Sequence, residues 1–314
     1  FSDSWKEFGG YKNFDVQVGV PTNINVSHEI RDFGLNKALP FVETTLAEKG
    51  YTFNNYIVGP APNLGRTRHS TVDFDDGRQS FAILGTLAFI FEGINGKADV
   101  LDNIEHRTYG QYHALKALLE FLHNSADEIK SIVAGAKVKL INAEPGESVA
   151  IRLEHFPSGD PLKLPLVSSK TGKDTIVMVE NYHPIVKSTL DATRPKAYLV
   201  PANDTLLVNF LKLHRIDFEH FETQNTSNIS QYFVESIIIG EDEELENRFP
   251  MVIKRQVRED EIGKEYLRVT TRQLHSNFLV SLFEPQSMLG LAQRSGYEYL
   301  LKEKEYFPIL RVEE

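Results

Sequence analysis

Cysteine is absent from the chain. That removes thiol nucleophiles, disulfides and thiolate metal sites, leaving His, Asp and Glu to ligate a metal or move a proton. Basic residues are also in short supply, 34 Lys and Arg against 44 Asp and Glu, for a net charge of −10. Affinity for a polyanion comes largely from neutralising phosphates, so this balance argues against a nucleic-acid partner. No stretch approaches the roughly 20 consecutive apolar residues that cross a bilayer. The longest candidate, Phe81 to Phe91, is interrupted by Gly85 and Thr86, and no membrane span is expected. The chain opens at Phe1 without a Met, a basic segment or an apolar segment, and reads as a processed product or a fragment.

What is present suits a globular protein. Hydrophobic residues make up 41% and charged residues 25%, proportions at which burial offsets chain entropy without disulfides. With 314 residues, more than one core is expected. The pattern predicts an α/β chain in three parts: 1–135, mixed helix and strand; 136–190, β-rich; and 191–314, α+β.

Within the first part, alternation over Asn23 to Ile30 predicts a short strand. Leu39, Val42, Leu46 and Ala47 fall at helical spacing before Gly50, predicting a helix over 35–49. Residues 57–78 hold Gly59, Pro60, Pro62, Gly65 and Gly77, a long loop. The apolar run Thr86 to Phe91 predicts a strand covered on both faces, ending at Glu92. From His106 to Ala126, Tyr109, Tyr112, Leu115, Leu119 and Leu122 share one face of an amphipathic helix.

Beyond Gly135 the pattern turns to strands at Ser148–Leu153, Leu162–Val167 and Thr175–Glu180. Pro195 to Phe221 reads strand, helix, strand, with Asn203 or Asp204 as the cap. The acidic Glu241 to Glu246 predicts an exposed connection. Further strands are expected at Met251–Gln256, Tyr266–Thr270 and Phe278–Phe283.

Glu92 is the candidate acid–base residue. A carboxylate where an apolar strand stops, at the edge where open α/β sheets gather ligands, is suited to accept a proton; a capping or ion-paired role is the alternative. Arg78, 14 residues earlier, offers a planar guanidinium for a substrate carboxylate, with Asp73, Asp75 and Asp76 as competing local partners. His106 and His113 have no third ligand at metal spacing, and His214 and His220 flank an expected strand. Ser70 beside His69 has no third partner and no Gly-x-Ser-x-Gly elbow.

The segment Gly77-Arg-Gln-Ser-Phe-Ala-Ile-Leu-Gly-Thr-Leu-Ala-Phe-Ile-Phe-Glu-Gly93, followed by His106-Arg107 opening a long helix, resembles the carboxypeptidase A superfamily of zinc metallopeptidases. Pro40 to Tyr51 is similar to the helix before the family's substrate loop. Pro195 to Pro201, Leu282 to Ser287 and Tyr306 to Arg311 look like the region that long bacterial members carry after the peptidase domain.

The resemblance implies that 1–135 is the C-terminal half of a carboxypeptidase-like mixed sheet with helices. The β-rich region would follow, with a small α/β unit inside it. It implies zinc in the complete parent protein, Glu92 as general base, Arg78 near the substrate, and cleavage of a peptide or amide bond. Secretion or a periplasmic location is implied by the resemblance alone.

The family's His-x-x-Glu metal pair does not occur in residues 1–91. This chain is therefore expected to be inactive alone. His28, which follows the strand-like Ile24-Asn-Val26, is a candidate for the family's third ligand, a histidine at a strand end; a solvated strand-end histidine, or a ligand upstream, is the alternative. The competing reading is a non-catalytic scaffold whose β-rich C-terminal region binds protein or glycan.

Overall fold

The computed structural model describes residues 10–12, 14–60, 64–94, 101–168, 170–222, 228–241, 246–258, 262 and 265–313. Helix and strand each take 32% of the chain, which makes it a mixed α/β protein with a β-rich C-terminal region. It folds as two compact units interleaved in sequence: Phe1–Ala136 with Glu154–Lys187, and Lys137–Leu153 with Ser188–Glu314. The segment 136–190 is thus divided between the two units.

The first unit opens with β1 (Gly10–Lys12) and β2 (Val16–Gly19). Helix α1 (His28–Phe33) runs through a π-helical stretch (Gly34–Ala38) into α2 (Leu39–Glu48). Next come β3 (Phe53–Asn55), β4 (Thr67–Arg68), α3 (Gly77–Ala82) and β5 (Ile90–Gly93). Helices α4 (Ile104–Asn124) and α5 (Ala126–Ile141) follow. Strand β2 lies between β3, to which it is parallel, and β5, to which it is antiparallel. Its Val16, Val18 and Val20 pack on Leu39, Val42 and Leu46 of α2 and on Ala114 and Ala117 of α4.

Strands β6 (Ser148–Phe156) and β10 (Ile185–Thr193) pair with each other, and each carries the chain from one unit into the other. Strands β7 (Leu162–Ser168) and β8 (Asp174–Val179) join β1 in an antiparallel sheet. This sheet buries Leu164, Leu166 and Val179 against Phe14 and Ile57. Strand β9 (Tyr182–His183) pairs parallel with β4.

The second unit is built on a six-stranded sheet. Its strands are β11 (Ala197–Pro201), β12 (Glu219–His220), β13 (Ile229–Glu241), β14 (Glu246–Val257), β15 (Tyr266–Thr270) and β16 (Leu310–Val312). The order is β12-β15-β11-β16-β13-β14, antiparallel throughout. Helix α6 (Thr205–Leu213), capped by Asp204, links β11 to β12. The strand–helix–strand expectation holds, but β15 inserts between the two strands, which both run antiparallel to it. The acidic connection falls at the β13–β14 hairpin; its residues 242–245 lie outside the described residues.

Several expectations are corrected. Residues 23–27 form a turn rather than a strand: the Asn23 side chain accepts from Asn25 N–H at 2.9 Å, a local bond that competes with extended pairing. The run at 86–91 gives only the short β5, each of whose residues is partly exposed, instead of a strand covered on both faces. Helix extends to Ile141, past Gly135, where the β-rich part was expected to begin. Phe278–Phe283 is helical, within α7 (Ser276–Phe283), and nearly all of that helix is buried. A short, wholly buried apolar run carries no periodicity that separates helix from strand.

The buried face of α4 is Gly110, Ala114, Ala117 and Phe121. Leu122 packs beside Phe33 and Phe121, but Tyr109, Tyr112, Leu115 and Leu119 are 48–67% exposed. Close packing on β2 and α2 selects the small residues, and the bulky ones turn outward.

Candidate functional site

The β2–β5 pairing sets Gln17 directly opposite Glu92. Gln17 Nε2 donates to Glu92 Oε2 at 2.9 Å, and Tyr56, one residue past β3, donates its hydroxyl to Glu92 Oε1 at 3.0 Å. Both carboxylate oxygens therefore have a side-chain donor. Burial, and then the Glu92 charge, push the Tyr56 hydroxyl up to about 12, so it stays a donor across the neutral range. Lys12 on β1 also feels Glu92: burial pulls its amine down to about 8, against the opposing pull of the carboxylate.

Behind Tyr56 lies Arg78, 4% exposed, its guanidinium 5.0 Å from the ring centroid. Arg78 Nη2 donates to Ser70 Oγ and pairs with Asp76 at 2.5 Å, while Asp76 also caps α3 through Arg78 N–H. Its Nε and Nη1 have no hydrogen-bond partner. Gly19 makes room for this arrangement, because a Cβ there would lie 2.1 Å from Arg78 Nη1 and 2.7 Å from Tyr56 Cβ. Arg78 is thus an enclosed group held by the local acid Asp76, and it supports Tyr56 rather than facing solvent.

Ser70 adopts a left-handed φ of 86°, unusual for a residue with a side chain, and its carbonyl accepts from Arg68. Next to it, His69 is 9% exposed, with an unpartnered Nε2. Burial first, then the nearby Arg78 charge, bring His69 down to about 4, against a bond to the Tyr56 backbone. His155 is also brought to about 4, by burial and then by Arg68, Arg66, His69 and His183.

A cleft of about 180 Å³ starts where β2 ends, lined by Val20, Thr22, His28, Arg31, Asp32 and His69 among others. Of its lining, Thr22 is held by Gln79, whose Oε1 accepts from the Thr22 and Asn23 backbone N–H groups at 3.1 Å each. His28 is exposed at the start of α1 and does not follow a strand end, which corrects that premise. His106 and His113 both lie against Tyr51 with tilted rings, centroids at 4.8 and 5.5 Å.

Among the described residues no three His, Asp or Glu side chains converge so as to hold a metal ion. A zinc site is thus not supplied by the described residues alone; Tyr56 is bonded to Glu92, and Lys12 feels its charge. Among the described residues no helix is long and apolar enough to cross a membrane.

Sequence reasoning singled out Glu92, Arg78 and Asp76 and missed Gln17, Tyr56, Arg31 and His155. Gln17 carried one legible signal, a lone amide between the valines of an apolar strand.

Fold and site together define a mixed α/β protein with a doubly clamped carboxylate at a sheet edge. No family model matches the chain, and no curated protein or solved structure matches it.

Proposed function

We propose that the first unit is part of a carboxypeptidase-like hydrolase domain acting on a peptide or amide bond, with Glu92 as the proton-transferring carboxylate. The observation that carries this reading is the clamp on Glu92, which receives Gln17 and Tyr56 on its two oxygens at the end of β5. A general base must be oriented before its pKa matters, and donors on both oxygens fix that orientation. Arg78 acts one step back, holding the Tyr56 ring. Lys12 supplies a nearby amine that changes charge close to neutral pH. The zinc expected of such a hydrolase would need ligands beyond the described residues.

The experiment is to express the complete reading frame that contains this chain, supply zinc, and measure release of C-terminal residues from peptides. Positioned acid–base groups contribute about a hundredfold or more, so Glu92→Gln is expected to lower kcat by at least that factor with folding intact. Undiminished hydrolysis in Glu92→Gln removes Glu92 from the mechanism.

The second reading is a non-catalytic scaffold whose β-rich C-terminal region binds protein or glycan. Zinc-independent binding by the full protein, with no hydrolysis of any peptide tested, would select it.

A further inference from the structure

The cleft at the end of β2 lies within the first unit and holds two unsatisfied groups. Arg31 is the first. Its Nε donates to the Val26 carbonyl at 3.2 Å, while its terminal nitrogens have no hydrogen-bond or ion-pair partner among the described residues. Burial pulls this guanidinium below its ordinary value, against the smaller, raising effect of the Asp32 charge. Asp32 is itself engaged, accepting from Asn36 Nδ2 at 2.7 Å. A partly desolvated guanidinium without a carboxylate partner is an incomplete arrangement, and an anion completes it through two parallel hydrogen bonds.

His69 is the second group. It forms part of the wall, is 9% exposed, and its Nε2 has no partner. The bond to the Tyr56 backbone favours the protonated ring, so in that bond a ring N–H donates to the carbonyl. With Nε2 unpartnered, the donating nitrogen is Nδ1, and Nε2 of the neutral ring carries a lone pair. That atom calls for a donor. Thr22 does not supply one: its hydroxyl donates to the Thr71 carbonyl at 2.5 Å and accepts from Gln79 Nε2 at 2.9 Å.

The remaining wall sets size and polarity. Val20, Pro21, Ile24, Leu35, Pro184 and Val186 are apolar, and the volume of about 180 Å³ lies below the roughly 300–1,000 Å³ of drug-sized and cofactor sites. A dianion such as phosphate would meet those apolar groups and the Asp32 charge, and a metal ion would meet the Arg31 charge. We propose that this cleft binds a short aliphatic carboxylate with a hydrogen-bond donor on the adjacent carbon, an α-hydroxy or α-amino acid, with its carboxylate on Arg31, its donor on His69 Nε2 and its chain on the apolar wall. The inference is independent of any role for Glu92.

The test is calorimetry with saturation-transfer NMR on the full chain. The probes are leucine and α-hydroxyisocaproate, with isocaproate lacking the donor, isoamylamine lacking the carboxylate, and inorganic phosphate as the dianion. Leucine or α-hydroxyisocaproate is expected to saturate at millimolar concentration or below, and isocaproate to bind about tenfold more weakly, the worth of one hydrogen bond. Arg31→Gln is expected to weaken the better ligand about tenfold or more, and His69→Leu to bring it level with isocaproate. Tighter binding of leucine sets an ammonium beside Asp32 and marks an amino acid as the ligand, whereas tighter binding of α-hydroxyisocaproate marks a hydroxy acid. Arg31 is only partly buried, so its variant keeps the test valid should His69→Leu disturb folding. The proposal is overturned if neither acid saturates, if isocaproate, isoamylamine or phosphate binds as tightly as the better of the two, or if Arg31→Gln binds it as well as the parent.

Discussion

Gln17 and Glu92 face each other across β2 and β5, and the Gln17 amide donates to the Glu92 carboxylate at 2.9 Å. Gln17 is 1% exposed, so its amide has little access to water as an alternative partner. Replacing it with Leu leaves Glu92 short of a donor, and a cost of about 1–3 kcal/mol is expected. Tyr56→Phe removes a more accessible donor and should cost about 1 kcal/mol. Urea denaturation measures both; two variants as stable as the parent would show that the clamp is not formed.

Gly19→Ala tests the space beneath Arg78. The new methyl would overlap Arg78 Nη1 and crowd Tyr56 Cβ, and overpacking of this kind costs about 1–3 kcal/mol. Gly135→Ala, where an added Cβ meets nothing within 4 Å, is the control and should not destabilise. Equal melting temperatures for the two variants would refute the close approach of Arg78.

The two buried histidines set a pH window. His69 and His155 titrate near 4 in the folded chain, against about 6.5 unfolded. Between those values the unfolded chain binds more protons, so stability falls as pH drops from about 6.5 to 4 and is constant above. The loss is of the order of a few kcal/mol for the pair. Glu313 in the second unit, brought to about 2 by Arg311, Lys254 and Ser230 despite its burial, acts in a lower window, losing its contribution as pH falls below its ordinary value. Denaturation midpoints at pH 7, 6 and 5 should decline in the parent and flatten in His69→Gln or His155→Gln. A flat parent profile over that range rules the assignment out.

In the second unit, Arg311 and Glu284 form an ion pair, 2–3% exposed, with the Tyr198 hydroxyl donating to the same carboxylate at 2.7 Å. Arg311→Met strands that carboxylate in the interior, and a loss of about 3–5 kcal/mol is expected. Adding Glu284→Gln should recover part of it. The double-mutant cycle reads the coupling, and simple additivity would show that the two side chains do not interact.

The α4 correction gives the last prediction. Leu119→Lys on the outward face should change stability by no more than about 0.5 kcal/mol, whereas Ala117→Lys introduces a charge among packed valines and should prevent folding. The opposite ranking in thermal melts would restore the bulky face to the core.

Much of the outline was legible because it depends on local chemistry. The 3.6-residue spacing of Leu39, Val42 and Leu46 gave α2, Asp204 gave the cap of α6, and alternation gave β6, β7, β8 and β15. Where the local signal was ambiguous, tertiary packing chose. The apolar run at 278–283 became a buried helix, and α4 presented alanines and a glycine to its neighbours because bulky side chains would hold it too far from β2.

By itself the sequence determined the absence of thiol chemistry, the acidic balance, the mixed α/β class and the candidacy of Glu92 and Arg78. Residue types and short-range periodicity are enough for those. Only the tertiary structure decided that Gln17 and Tyr56 hold Glu92, that Asp76 rather than solvent meets Arg78, and that His69 and His155 lie buried near arginine charges, Arg78 for the first and Arg68 and Arg66 for the second. Those contacts join positions that are mostly far apart along the chain, and they exist only once strand register and helix packing have brought the positions together.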